Sequence, residues 1–150
     1  MIPVTPTRAR IIHHEGGKQR TELEMAKSSK LVVTRGNRVL LVRRKRDGRW
    51  TFPGGKRKGQ GENARRCLRR ELAEELPGLR WRGARVWQQV KATNPVTGRR
   101  INHMIFTAKA VSGALQIGDV GELDRAEWRE PWNIRLAPNT RFVRDLLLAR

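Results

Sequence analysis

The chain has 150 residues, of which 37% are hydrophobic and 31% charged, enough for one domain with a real core and too few for two. No apolar run approaches the roughly 20 residues that span a bilayer, none near the N-terminus has the form of a secretory signal, and the single cysteine, Cys67, excludes an internal disulfide, so the expected compartment is the cytoplasm. Lys and Arg number 33 against 14 acids, a formal charge of +19. A field of that sign draws polyanions, whether phosphorylated metabolites, nucleic acid or an anionic membrane surface; a high-GC genome would give the same arginine excess, so charge does not choose among them.

Residues 1–27 differ from the rest. They hold Pro3, Pro6, Gly16, Gly17 and the pair His13-His14, with little periodicity, and read as a partly ordered arm with one short strand around Ala9–His13. No Cys or further His stands at ligand spacing from the histidine pair, which reads as an ordinary exposed pair. The remaining chain, 28–150, reads as one domain. Leu31-Val32-Val33 and Val39-Leu40-Leu41-Val42 are apolar, β-branched runs separated by Arg35-Gly36-Asn37-Arg38, a hairpin signal because Gly and Asn tolerate the positive φ of a tight turn. Asp47-Gly48 marks another turn before Trp50-Thr51-Phe52.

A glycine-rich loop from Pro53 to Gly61 precedes a helix expected from about Asn63 to Leu76, stopped by Pro77-Gly78. Strands are expected over Arg80–Val90 and Ile101–Val111, joined through Asn94-Pro95-Val96-Thr97-Gly98, with Trp128 ending a short strand. Thr140 is placed to cap a last amphipathic helix to Leu148, with Phe142, Val143, Leu146 and Leu147 inward. Strands, a helix behind a phosphate-friendly loop, more strands and a second helix make a mixed α/β layer fold.

The first helix has an unusual pattern. At about 100° per residue, Glu74 falls near −60° and Glu75 near +40° of Glu71. Ala64 and Cys67 share this acidic face; Leu68, Leu72 and Leu76 form a separate core-facing stripe, and Arg66, Arg69 and Arg70 cover the rest. Like charges at i,i+4 cost a few tenths of a kcal/mol, and the C-terminal half of a helix disfavours anions. The cluster therefore calls for a cation. Arginines could supply it in a solvated helix laced with ion pairs. So could a divalent metal; clustered carboxylates without His or Cys suit Mg²⁺, Mn²⁺ or Ca²⁺, not Zn²⁺.

From Gly54-Gly55 through Glu62, a seven-residue gap, and Arg70-Glu71-Leu72-Ala73-Glu74-Glu75, the chain closely resembles the Nudix (MutT-like) box, G-x5-E-x7-R-E-U-x-E-E-x-G-U with U aliphatic. The match from Glu62 to Glu75 is position by position. Val39–Arg44 and Trp50–Gly55 look like the strands that lead into the box, and Glu122 with Trp128 is similar to a Glu-x5-Trp feature of the family. The likeness covers roughly Lys30 to the C-terminus. Three departures stand out: one extra residue between Gly55 and Glu62, Pro77 where the family has glycine, and Arg57-Lys58 where many members carry a loop glutamate. None removes a metal ligand, but the loop that sets metal–phosphate geometry is altered.

The resemblance implies a Nudix-type α/β/α sandwich with a mixed β-sheet, and a pyrophosphohydrolase dependent on Mg²⁺ or Mn²⁺. On it, Glu71, Glu74 and Glu75 would ligate the metal with the Gly54 carbonyl; Glu62 would assist through the metal shell; Arg70 would pair with a box carboxylate and fix its rotamer; and Glu122 would be an extra ligand or general base. Paired metals clamp the attacking and leaving oxygens of a pyrophosphate. The substrate would be a nucleoside diphosphate linked to a further group X: a nucleotide sugar, dinucleoside polyphosphate or (d)NTP. The high charge leaves open a larger polyanion, such as an RNA 5′ end or an inositol pyrophosphate, and a weakly active Nudix-fold module that binds RNA. Candidates for binding the substrate are Trp50 and Trp128, which could stack on a base, and Arg43, Arg49, Arg99 and Arg100, whose planar forks grip phosphate; Trp87 and Trp132 are further tryptophans that could stack. No membrane partner is expected, and the chain would act as a monomer or homodimer.

Overall fold

The computed structural model describes residues 11–13, 19–21, 26–59 and 61–148. Its elements, in chain order, are β1 (Ile11–His13), β2 (Gln19–Thr21), β3 (Ser28–Leu31), β4 (Thr34–Arg35), β5 (Arg38–Arg44), β6 (Trp50–Thr51), β7 (Gly54–Lys56), α1 (Ala64–Glu75), β8 (Leu79–Arg82), β9 (Arg85–Thr93), β10 (Arg100–Thr107), β11 (Ala110–Gly113), β12 (Leu123–Arg129) and α2 (Pro138–Leu148). One sheet runs β7-β3-β10-β9 and a second β12-β5-β4 with β6 also on β5. β3 and β10 are parallel, whereas their outer neighbours are antiparallel, so the first sheet is mixed. β1 pairs with β2 and β8 with β11. Ala9 and His14 of the expected arm lie outside the described residues.

The continuous apolar runs are explained by burial on both faces. Alternate residues of a strand point to opposite sides, and here both sides are covered. Val32, Val39, Leu41, Ile101 and Ile105 pack with Val143 and Leu147 of α2. Leu31, Val33, Leu40, Val42, Met104 and Phe106 pack with Leu68, Leu72 and Leu76 on the α1 side. The result is a helix on each face of a central β layer, the α/β/α arrangement. Truncating a residue such as Leu72, 1% exposed, to Ala would cost about 2–5 kcal/mol. Among the described residues no helix is long and apolar enough to cross a membrane.

The expected hairpin forms, with Arg35 opposite Arg38, but Gly36 alone takes the positive φ, 63°. The two long strands expected downstream each divide. Gly83, at φ +65°, separates β8 from β9, and Ala108-Lys109 separates β10 from β11. The last helix starts two residues earlier than Thr140: Pro138 supplies the preset φ of a first helical position, and Ala137 accepts the first bond from Arg141 N (2.9 Å). Thr140 instead bonds Thr51 Oγ1 at 2.7 Å. Leu146, expected inward, is 39% exposed, while Val143 and Leu147 are buried; the inward arc is narrower than the sequence stripe.

Candidate active site around helix α1

Asn63 starts α1, its side chain accepting from Arg66 N at 2.9 Å, a cap worth about 1 kcal/mol. At the other end Leu76 N still reaches Leu72 O (2.9 Å), and Gly118 N satisfies the Glu75 carbonyl (2.9 Å). Pro77 then ends the helix. A side chain at Gly118 would collide with Glu74 O at 2.3 Å, so the 118–122 loop lies tight against the C-terminal turn that carries the glutamates.

The acidic face is not a solvated stripe. Ala64 and Cys67 are buried, and Glu75 is 8% exposed. Glu75 Oε1 accepts from Gly54 N at 2.9 Å. Burial pushes its carboxyl up to about 7, with the Gly54 amide and the Lys30 charge opposing and Glu71 and Asp119 adding to the rise. The amide of Gly54 is thus the group that meets a box carboxylate. Cys67 donates to Gly55 O at 3.3 Å, and burial raises its thiol.

Arg70 does not stay on a separate basic side but folds over the acids. Its Nε and Nη2 grip Glu62 at 2.7 and 3.0 Å, Nη2 also donates to Lys56 O at 2.9 Å, and Nη1 reaches Glu71 Oε1 at 3.0 Å and Glu74 Oε2 at 3.4 Å. The Arg70 bonds hold the Glu62 carboxyl well down, to about 2, helped by the Lys58 amide; the same pairing raises the arginine. Lys58 N closes the lengthened loop on Glu62 Oε1 at 2.9 Å; Gln60, within that loop, lies outside the described residues.

Two adjacent glycines bring β7 against the helix. Gly54 has φ +131°, and a Cβ there would lie 2.1 Å from Ser29 O; one on Gly55 would lie 2.4–2.7 Å from the Glu71 carboxyl. The Glu71 carboxylate therefore rests directly on the Gly55 backbone.

The donors of this cluster are all hard oxygens, which suits a divalent cation such as Mg²⁺ or Mn²⁺ by chemistry. As the side chains lie, no three metal-ligating groups among the described residues converge on one point. Arg70 Nη1 holds Glu71 and Glu74 together, where a bound cation would do the same. The donor set fits; taking up an ion requires Arg70 to share or release Glu71 and Glu74.

Beside this cluster opens a cleft of about 450 Å³. Gly55 and Lys56 form its edge nearest α1, and Lys30, Arg44, Arg46, Arg49 and Arg99 add positive charge. Its one acid, Asp47, is held by Arg44 at 2.5 Å. Phe52, Ala137, Pro138 and Val143 supply an apolar wall. Lys30 is half-buried, its Nζ 3.4 Å from Phe52 O; burial lowers its pKa against the pull of Glu75 and Glu71. His103, bonded through Nδ1 to Ser28 Oγ, is pushed down to about 4 by burial and then by Lys30.

Of the residues read as substrate-binding, Arg49 and Arg99 line the cleft. The others lie elsewhere. Trp50 is 5% exposed in the α2-side core, with Arg129 and Arg43 over its ring at 5.1 and 5.9 Å. Arg43 is held by Asp124 at 2.8 and 2.9 Å. Trp128 packs on the α1-side core beneath Arg35, 4.1 Å from its ring. Arg100 is exposed at the start of β10. Glu122 is exposed, its carbonyl taken by Lys45 N at 2.8 Å; Asp119, in the same loop, is the acid whose charge reaches Glu75. Lys30, Ser28, His103 and Asp119 carry no motif, and only their positions in the fold bring them to the site.

A family model described as the NUDIX domain matches residues 26–149. Among solved structures, the chain is similar to a MutT NUDIX hydrolase from Burkholderia pseudomallei, with 23% identity over 78% of this chain and 93% of that one and a TM-score of 0.63. It is similar to a UDP-X diphosphatase at 17% identity, covering 77% of this chain and 56% of that one, TM-score 0.59. An ADP-ribose pyrophosphatase from Streptococcus suis gives 16% identity, 81% and 85% coverage and a TM-score of 0.56. At these identities the structural likeness is one of fold. No curated protein sequence matches the chain.

Proposed function

Since the chain belongs to the Nudix family and is a pyrophosphohydrolase of that family, we propose that it cleaves a nucleoside diphosphate linked to a further group, such as a nucleotide sugar, dinucleoside polyphosphate or (d)NTP. The observation that carries this reading is the join between the cationic cleft and α1: Gly55 lines the cleft and also carries the Glu71 carboxylate against its backbone. An anionic substrate in the cleft would meet the glutamates there. We take 28–150 as the hydrolase domain and 1–27 as an appended arm.

Glu71, Glu74 and Glu75 would hold a Mg²⁺ or Mn²⁺ ion, with Glu62 behind them and a backbone oxygen of the Gly54-Gly55 strand at its edge. A divalent ion there would supply charge to the phosphates and acidity to a bound water. The chain's own groups do the rest. Arg70 fixes the carboxylates, and Lys30 offsets the charge of Glu75 and Glu71 from the cleft side. Arg49 and Arg99 take phosphate oxygens, and the Phe52–Val143 wall receives an apolar portion. Glu122 stays a candidate base, and Asp119 in the same loop is a second. Arg43, Arg100, Trp50 and Trp128, which lie outside the cleft, are given no part in binding the substrate.

The test is turnover of ADP-ribose, nucleotide sugars, dinucleoside polyphosphates, (d)NTPs and 5′-triphosphorylated RNA with Mg²⁺ and with Mn²⁺, products read by mass spectrometry. A nucleoside monophosphate product lost on adding EDTA is expected. Hydrolysis that persists in EDTA, or no turnover of any of these substrates, overturns the reading.

A further inference from the structure

The chain holds no Asp or Glu between Glu75 and Asp119, while the same stretch holds Arg80, Arg82, Arg85, Lys91, Arg99, Arg100 and Lys109. This acid-free stretch builds β8 to β11, and its β8–β9 turn is drawn against α1: Arg65 Nη1 donates to Ala84 O at 2.9 Å, and its guanidinium lies 5.4 Å from the Phe106 ring centre. Lys109 joins the same corner, its amide reaching Arg82 O at 3.0 Å and Gly83 O at 3.2 Å. Arg66 and Arg69 follow Arg65 within about 100° of the helix circumference.

Arg66, Arg69, Arg82, Arg85 and Lys109 are all exposed. Among the described residues none of them is in an ion pair, unlike Arg43, Arg44, Arg70 and Arg144, which each hold a carboxylate. Like charges three or four residues apart on a helix cost a few tenths of a kcal/mol per pair, and no carboxylate offsets that cost here. None of these five lines the cleft, so substrate binding does not account for them.

We propose that this corner, formed by the outer face of α1, the β8–β9 turn and Lys109, is a docking site for the phosphate backbone of a nucleic acid, separate from the catalytic cleft. Charge complementarity selects the partner: a group of unpaired, mostly guanidinium cations beside an acid-free stretch of chain matches regularly spaced phosphates. Contacts of this kind give affinity without sequence readout.

The experiment is fluorescence anisotropy of a labelled single-stranded 20-mer RNA and of a 20-base-pair DNA duplex with the full chain, over a series of KCl concentrations in EDTA. If all five cations meet phosphates, the single-strand slope of log K against log salt is about −3.5 from roughly −0.7 per contact. The variant Arg66→Gln, Arg69→Gln, Arg82→Gln, Arg85→Gln is expected to bind at least tenfold more weakly and to flatten that slope by about 2.8. A control variant, Arg38→Gln, Lys45→Gln, Arg125→Gln, Arg141→Gln, removes the same charge from exposed positions elsewhere and is expected to lose less than threefold. Equal losses in the two variants would mean that net charge alone binds, and would overturn the site. Binding of phosphatidylserine vesicles that the first variant abolishes, with nucleic-acid binding unchanged, would overturn the partner. A melting temperature within a few degrees of the parent's shows that the variant is folded; if it is not, the single substitutions Arg82→Gln and Arg66→Gln, each expected to reduce the slope by about 0.7, carry the test.

Discussion

Gly54 and Gly55 stand side by side in β7, and their substitution by alanine is expected to give opposite failures. A Cβ on Gly55 would lie 2.4 Å from the Glu71 carboxyl carbon, where ordinary contact begins at 3.4 Å. The obstacle is the free end of a side chain, so Glu71 can yield by about 1 Å. That shift loosens the 3.0 Å pair with Arg70, worth at most about 1 kcal/mol where solvent reaches it, and the alanine returns about 0.4–1 kcal/mol by restricting the unfolded chain. Stability should change by less than about 1 kcal/mol. A 1 Å displacement of a group that positions the reaction can cost on the order of 10²-fold in rate. In Gly54→Ala the Cβ meets a backbone carbonyl, Ser29 O, at 2.1 Å with φ at +131°, a conformation costing about 1–3 kcal/mol in strain alone before the β3–β7 pairing is disturbed. Urea titration and the rate on the best substrate, measured on both variants, decide the matter. A Gly55→Ala protein with parental turnover would refute the placement of Glu71 at the reacting centre. One as destabilised as Gly54→Ala would refute the claim that Glu71 can move aside.

Glu75→Gln keeps an acceptor for the Gly54 amide and removes a buried charge, so turnover should fall at least tenfold while the melting temperature holds or rises; a marked drop in melting temperature would contradict the burial argument. Glu74→Gln is expected to lose a similar factor in turnover, and parental rates in both would sink the assignment of these carboxylates. Arg70→Lys cannot reproduce the fork on Glu62 and the reach to Glu71, Glu74 and Lys56 O; the expected loss is about 1–3 kcal/mol in urea titration and tenfold or more in rate, and an unchanged rate would show that Arg70 does not position the carboxylates. His103 has a folded value near 4 against about 6.5 unfolded, so between these the unfolded chain binds the extra proton. Its contribution is complete above pH 6.5 and is lost as pH falls toward 4, up to about 3 kcal/mol. His103→Gln should flatten the stability–pH curve across that window, and an unaltered slope would refute the assignment.

Local signals were readable because each needs only its neighbours in sequence. The Gly36 hairpin, the helix start near Asn63, the stop at Pro77 and the three glutamates on one arc all follow from local residue preferences and a 100° step. The box itself, with its spacing from Glu62 to Arg70-Glu71, identified the family. What periodicity could not settle was how far a buried arc extends. Glu75 sits beside the leucine stripe and is drawn into the core with it, whereas Leu146 is left outside, because the packing partner sets the width of the covered face. The long side chains were equally undecided: Arg70 lies on the basic side of a helical wheel, yet five hydrogen bonds draw it across onto carboxylates and the Lys56 carbonyl, a choice that exists only once β7 and the loop are in place. Trp50 and Arg43 read as ligand-binding types, but the fold needed one for its core and gave the other to Asp124. Ser28, Lys30 and His103 are scattered along the sequence without a motif, and the parallel pairing of β3 with β10 alone sets them side by side in the cleft. Residue type and short-range spacing thus determined the elements, the family and the acidic helix, while burial, side-chain reach and long-range strand register decided which of those groups share a site.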